Sequence, residues 1–285
     1  MAERHRELSA EKLPKEGVAV FHLTGGYGKD ISLHHHDYYE IYLFLTGKIT
    51  YLIEGKQYEL QAGDCMMLAP GILHEPVFTG QLKKGSQNQY ERYILRMDKQ
   101  FLDAVDTSSL KLKDIFEHET VRLQEGNLKL LRQLFTLLLQ YESLTGFGAG
   151  EMKAGCARQI LILLCRGIQR ESFLDCTASN PLIDRVLQYI AAHLTQDLSE
   201  ERLAEIFFVN KFYLLREFKK HTGTTPYHYI MKKRLILAEE LILQGRQVKD
   251  LYSECGFSDY SNFFRCFKKE YGQTPRQFYE TKRSR

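Results

Sequence analysis

The sequence predicts an α+β chain of two domains: an antiparallel β-sandwich or barrel followed by two helices, then an all-α C-terminal domain. Three observations point there. From Val18 to about Arg96, short runs of Ile, Tyr, Leu and Phe are broken by Gly47, Gly55, Gly63 with Asp64, and Pro70 with Gly71, a turn signal about every eight residues. From Asn127 to Leu174, apolar residues recur at intervals of three and four. Beyond Pro181 the pattern is helix, turn, helix, with no strand signal of any length.

Size and composition agree with that division. At 285 residues, 44% apolar and 26% charged, the chain is long enough to bury two cores and too apolar for long disordered tails. The expected boundaries are a barrel over residues 1–126, a helical connector over 127–178 and a helical domain over 179–285. The net charge of +3 conceals an asymmetry: from Ser179 onward there are 18 Lys and Arg against 13 Asp and Glu, and upstream 21 against 23. The basic excess lies at the C-terminal end, where it favours a polyanionic partner. The six cysteines form no C-x-x-C pair and no apolar leader precedes the barrel, so the thiols are expected to be reduced and the protein cytoplasmic. The longest strictly aliphatic run, Ile160–Leu164, falls far short of the roughly 20 residues needed to cross a bilayer, so no membrane partner is expected.

Within the connector, Leu128, Leu131, Leu134, Phe135 and Leu138, then Ile160, Leu161, Leu164 and Ile168, mark the inner stripes of two amphipathic helices. Asp175–Asn180 reads as a polar linker. Further on, Thr225 followed by Pro226 is a strong helix start and Gly245 a matching stop. The helix between them, roughly 19 residues, would be about 28 Å long.

The C-terminal domain contains one supersecondary unit twice. Leu214-x-Arg216-x-Phe218-Lys219-Lys220-x-x-Gly223-x-Thr225-Pro226 is echoed, at a constant offset of 49, by Phe263-x-Arg265-x-Phe267-Lys268-Lys269-x-x-Gly272-x-Thr274-Pro275. Leu214 with Phe218, and Phe263 with Phe267, are i,i+4 pairs that would anchor the inner face of a short helix. The opposite face presents Phe212, Leu215, Arg216 and Lys219 in the first copy, and Ser261, Phe264, Arg265 and Lys268 in the second. An apolar side chain beside an arginine suits the major groove, with its thymine methyl and the paired acceptors of guanine, while the lysines suit phosphate. The alternative use of such a face is packing on a neighbouring unit; two matched copies argue against it.

These residues resemble the AraC/XylS family of transcription regulators, most closely in Gly256-Phe257-Ser258-Asp259-Tyr260-Ser261-Asn262-Phe263-Phe264-Arg265-Cys266-Phe267-Lys268-Lys269. The resemblance covers roughly Leu182–Tyr279. It implies two helix-turn-helix motifs joined by one long helix, double-stranded DNA as partner with Tyr260 among the contacting residues, a homodimer formed through the connector helices, a small polar effector such as a sugar, and RNA polymerase as a further partner. One position departs from the family pattern. Phe208 stands where the first turn usually has glycine, and because phenylalanine resists positive φ the turn is expected to take another conformation.

Upstream, Gly28, His34-x-His36, Glu40 and Gly47 are spaced as in the first motif of the cupin barrels, and Gly63, Pro70, Gly71 and His74 resemble the second, with one residue more before Pro70 and one fewer after it. His34, His36 and Glu40 differ by even numbers and would share one face of a strand. With His74 they form a candidate effector pocket. Three uses of it stay open: a divalent transition metal held by imidazole and carboxylate, metal-free hydrogen bonding to a polar effector, or a fold remnant. Tyr38, Tyr39, Tyr42 and Tyr51 are expected in the barrel wall or core. No catalytic nucleophile or phosphate loop is recognisable, so a non-enzymatic regulator is the leading reading and a metal-dependent cupin enzyme fused to a DNA-binding module the alternative.

Overall fold

The computed structural model describes residues 17–24, 32–47, 49–77, 90–108, 110–168, 180–246, 248 and 251–283. The chain divides into two compact units, Met1–Thr177 and Ala178–Arg285. Gly28, Cys176 and nearly all of the linker expected at Asp175–Asn180 lie outside the described residues. Asn180 itself caps a helix rather than linking, its side chain accepting from Leu182 N and Ile183 N.

The first unit is built from two antiparallel sheets. Strands β1 (Val18–Thr24), β2 (Tyr39–Thr46), β5 (Asp64–Leu68), β7 (Glu91–Met97) and β8 (Thr120–Arg122) form one sheet in the order β1-β7-β2-β5-β8. Strands β3 (Ile49–Ile53), β4 (Lys56–Leu60) and β6 (His74–Val77) form the other in the order β4-β3-β6. A helix α1 (Lys99–Val105) and a 3-10 turn at Leu112–Glu117 follow β7, then α2 (Glu125–Tyr141) and α3 (Ala149–Ile168).

Strand alternation assigns the two faces of the larger sheet. Ile41 and Leu43 of β2 and Leu95 and Met97 of β7 share a core with Leu131, Phe135, Leu138, Ile160 and Leu164 of α2 and α3. Tyr42 and Phe44 of β2 and Ile94 of β7 turn inward and pack with Tyr51, Ile53, Tyr58 and Leu60 of the smaller sheet. Being covered on both faces, β2 reads as a continuous apolar run instead of an alternating one. The connector helices are therefore part of the first unit, whose core they close, and do not stand apart from the barrel. Lys153 of α3 reinforces this: it is buried and pairs with Glu142 at 3.0 Å, and Glu142 accepts from Val20 N at 3.0 Å.

The second unit is all helical: α4 (Pro181–Ala192), α5 (Glu200–Ile206), α6 (Lys211–Thr222), α7 (Pro226–Leu243), α8 (Leu251–Glu254), α9 (Tyr260–Tyr271) and α10 (Pro275–Arg283). Thr225 caps α7 by accepting from His228 N. Tyr229, Ile230, Leu235, Ile236, Ala238 and Ile242 are buried around much of its circumference, as suits a helix enclosed by neighbours. It packs against α6, α8, α9 and α10, the spine between two helix-turn-helix motifs.

Candidate functional site

Helices α6 and α9 are the two copies of the repeat, each 12 residues long. Their ends are built alike. Asn210 accepts from Phe212 N and Tyr213 N, and Asp259 from Asn262 N, each answering donors that a first turn leaves unpaired. Gly223 and Gly272 close the helices with φ 73° and 68°, their N–H groups donating to Lys219 O and Lys268 O. Leu214, Phe218, Phe263 and Phe267 are fully buried. Phe212, Arg216, Lys219, Ser261, Arg265 and Lys268 are exposed, with Leu215 and Phe264 half-buried beside them. Phe212 is 77% and Tyr260 44% exposed, which sets apolar surface beside the basic residues of the same helices. Arg216 lies over the Tyr213 ring, its guanidinium carbon 5.4 Å from the centroid, which limits its rotamer freedom.

The two turns differ. At the second, Gly256 has φ 83° and sits so close to Thr195 Cα, Arg234 Nε and Leu194 O that a Cβ would lie 2.8 to 2.9 Å from them. Arg234 fixes this junction by donating from Nε to Leu194 O at 2.9 Å and from Nη2 to Gln196 O at 2.6 Å. At the first turn Phe208 adopts φ 54°, the left-handed conformation that a glycine would supply. The expectation of a different backbone there is wrong, because the neighbouring hydrogen bonds Phe208 N to Glu205 O and Val209 N to Ala204 O select the turn whatever the side chain. The ring escapes steric conflict by pointing into solvent, 96% exposed.

In the barrel, His36, Glu40 and His74 converge: one ligand atom from each lies within 4.8 Å of the others. Contrary to the sequence expectation, His34 and His36 are not on a strand with Glu40, since β2 begins at Tyr39. His34 instead forms a bridge with His74, His34 N donating to His74 O at 3.1 Å and His74 N to His34 O at 2.9 Å, which brings their rings to 4.1 Å. Glu40 is held on both oxygens, Oε1 accepting from Arg96 Nε at 2.8 Å and Oε2 facing His36 Nε2 at 2.9 Å. Burial alone would raise its carboxyl, but His36 and Arg96 outweigh burial and hold it well below the usual range. Burial, with His34 and His36 adjacent, drives His74 well below the ordinary histidine value. Tyr38 stacks on His36 at 4.0 Å, and Tyr42 and Tyr51 are buried inside the barrel, while Tyr39 faces Phe116 on the helical side.

Nδ1 of His34, His36 and His74 meets the carbonyl of Ser32, Tyr38 and Ile72 respectively, so each ring has only Nε2 to offer a metal, and that of His36 already faces Glu40. Among the described residues, Nε2 of His74 is buried with no hydrogen-bond partner. His36, Glu40 and His74, with His34 alongside, thus fit a divalent transition metal, which when bound would supply a Lewis acid for an effector's oxygen atoms. Sequence reasoning missed Arg96 and its neighbour Arg92. The available signal was parity: both share the register of the inward-facing Ile94 on β7.

A barrel with a convergent polar cluster, joined to two capped helices that present matched basic faces, defines a ligand-controlled, DNA-binding transcription regulator. Comparison with known proteins places it further. Residues 18–154 match the family described as AraC-like ligand binding domain, and residues 203–281 match the helix-turn-helix domain. Together these are the ligand-binding and helix-turn-helix domains of an AraC-type transcription regulator. The chain is 27% identical over 248 residues to the HTH-type transcriptional activator RhaS of Enterobacter sp. (strain 638), covering 86% of each chain. Among solved structures, the C-terminal domain of AraT, a response regulator from Geobacillus stearothermophilus, is 32% identical over 37% of this chain and 87% of its own, with a TM-score of 0.35. ToxT from Vibrio cholerae is 11% identical over 93% of this chain and 98% of its own, with a TM-score of 0.37.

Proposed function

We propose that α6 and α9 read base edges in two adjacent major grooves about one helical turn apart, and that a small polar effector bound in the barrel controls this binding. The observation that carries the first part is the matched pair of exposed faces, with Phe212, Leu215, Arg216 and Lys219 on one helix and Tyr260, Ser261, Phe264, Arg265 and Lys268 on the other. At 18 residues, α7 is about 27 Å long and supports a spacing near the roughly 34 Å groove repeat. Selection from random duplexes tests it: an enriched two-part motif is expected, with affinity falling steeply with salt. Recovery of no motif at any salt concentration overturns it.

His34, His36, Glu40 and His74 are assigned to the effector site, with a divalent metal as the group their donors would hold. The barrel acts by binding and not by turnover; in support, Glu40, the buried carboxylate of the histidine cluster, is engaged by both His36 and Arg96 and is not free to serve as a base. A homodimer forms through α2 and α3. Support comes from Leu130, Leu137 and Met152 on these helices, 46%, 36% and 48% exposed, and from a groove lined by Leu128, Arg132 and Leu137. No helix among the described residues is long and apolar enough to cross a membrane. The cytoplasm is the proposed compartment, with RNA polymerase as the partner through which DNA binding changes transcription.

A further inference from the structure

Strand β7 carries two arginines on its barrel-facing side, Arg92 and Arg96, four residues apart and in register with Phe44 and Glu40 of β2. Among the described residues only Arg96 has a counter-charge, answered by Glu40 at 2.8 Å. Arg92 is 5% exposed, and both its Nε and its Nη1 are buried without a hydrogen-bond partner there. Its guanidinium carbon lies 4.2 Å from the centroid of the Tyr90 ring, an arrangement that satisfies the face of the group and not its edge donors. A guanidinium does not lose its proton within proteins, so Arg92 cannot escape burial by becoming neutral.

Folded proteins seldom leave buried donors unanswered, and an exception calls for an ordered water, an ion, a ligand or a functional role. The surroundings suit a ligand. Tyr42, Phe44, Tyr51 and Tyr90 pack in the same interior as Arg92, and the hydroxyls of Tyr42 and Tyr51 hydrogen-bond one another there. The unpartnered Nε2 of His74 belongs to the same barrel. We propose that the effector is an oxyanion, a small hydroxylated molecule bearing a carboxylate or a phosphate, whose charge is met by the guanidinium of Arg92 while the barrel tyrosines meet its hydroxyls. This rests on the reading of the barrel as the effector site and narrows the effector from polar to anionic. A planar guanidinium pairs bidentately with either group through Nε with Nη2 or through Nη1 with Nη2, so each edge carries one of the two unpartnered donors.

The test uses the full-length protein at fixed ionic strength. Galacturonate, gluconate, glucose 6-phosphate and inorganic phosphate are compared with neutral galactose and glucose by thermal shift, and any compound that stabilises is titrated by calorimetry. At least one oxyanion is expected to raise Tm while its neutral counterpart does not. A response confined to the sugar acids or to the phosphates identifies which group is recognised, and either supports the proposal. Arg92→Met is expected to weaken that binding by about ten- to a hundredfold, as removal of charge-assisted hydrogen bonds does, and to leave the unliganded Tm equal or higher. If the variant fails to fold, Arg92→Lys serves: it keeps the charge but loses the fork, so weaker binding with retained preference for the anion is expected. Stabilisation by neutral sugars alone, or by none of the compounds, overturns the oxyanion. So does undiminished anion binding in the variant. The broader effector reading fails on a different result, namely transcription in cells that responds to no added small molecule and is unchanged by every barrel substitution.

Discussion

Arg216 and Arg265 each occupy the sixth position of a 12-residue helix that begins after a side-chain cap and ends at a left-handed glycine. Equal phase on equally framed helices puts the two guanidiniums at the same place on their exposed helix faces. Arg216→Ala and Arg265→Ala are therefore expected to relax base preference in separate halves of the site, at roughly 1 to 3 kcal/mol for each bidentate pairing removed. Lys268→Ala should weaken all duplexes alike. Preference profiles from selection distinguish the two behaviours, and a uniform loss for Arg265→Ala would remove it from base readout.

Phe208 stores strain that its sequence position need not contain. Holding an L side chain in the left-handed region costs roughly 1 to 2 kcal/mol, of which the extra unfolded-state freedom of glycine returns part. Phe208→Gly is expected to stabilise the helical unit by about 0.5 to 1 kcal/mol, read as a higher denaturation midpoint. Gly256→Ala should do the opposite and cost at least about 2 kcal/mol, because its Cβ would collide with backbone at Thr195 and Leu194. Equal midpoints for Phe208→Gly and wild type would show that the strain is relieved elsewhere.

The barrel histidines make stability depend on pH. Both His34 and His74 have folded values depressed from 6.5, with burial the leading cause. Below about pH 6.5 the unfolded chain takes up protons that the folded barrel refuses, so stability present above that pH is lost as pH falls through it. The slope is at most about 1.4 kcal/mol per pH unit for each excess proton. In metal-free buffer, Tm should decline between about pH 7 and about pH 5, and His74→Gln should flatten the decline. The Glu40 carboxylate is depressed in the same sense, and its contribution disappears only in strong acid.

Glu40 and His74 differ in what their removal tests. Glu40 is 1% exposed and paired with Arg96, so Glu40→Ala leaves a buried guanidinium unpaired at a cost of about 3 to 5 kcal/mol and is expected to damage the barrel itself. His74→Ala removes the inward-facing nitrogen while sparing that pair. It should abolish the effector's influence on transcription and leave basal duplex binding intact. Elemental analysis of the purified protein then separates the cases: stoichiometric metal lost in His74→Ala favours a metal-assisted site, and effector binding without metal favours direct hydrogen bonds.

Dimerisation through α2 and α3 predicts that Leu130→Lys with Leu137→Lys shifts sedimentation from dimer to monomer at micromolar concentration, without lowering Tm, since both side chains are partly solvent-exposed. A dimer unchanged by the pair of substitutions would place the interface elsewhere.

Local chemistry is legible from sequence where one residue decides it. Thr225 and Pro226 start α7, Gly223 and Gly272 close α6 and α9, and the repeat at offset 49 identifies both motifs, because capping, proline geometry and helical phase act within a few residues. The motif spacing likewise singles out His36, Glu40 and His74 without knowledge of the fold. What only the tertiary structure decided depends on partners distant along the chain. Arg96 meets Glu40 across 56 positions. Arg234 reaches back 40 positions to the carbonyl against which Gly256 is pressed. Phe208 takes glycine's conformation because the helices on either side of the turn impose it. Arg92 shows the same limit in another form: its position on a strand can be counted from the sequence, but the lack of a counter-charge among the described residues emerges only when the neighbours around the barrel are in place.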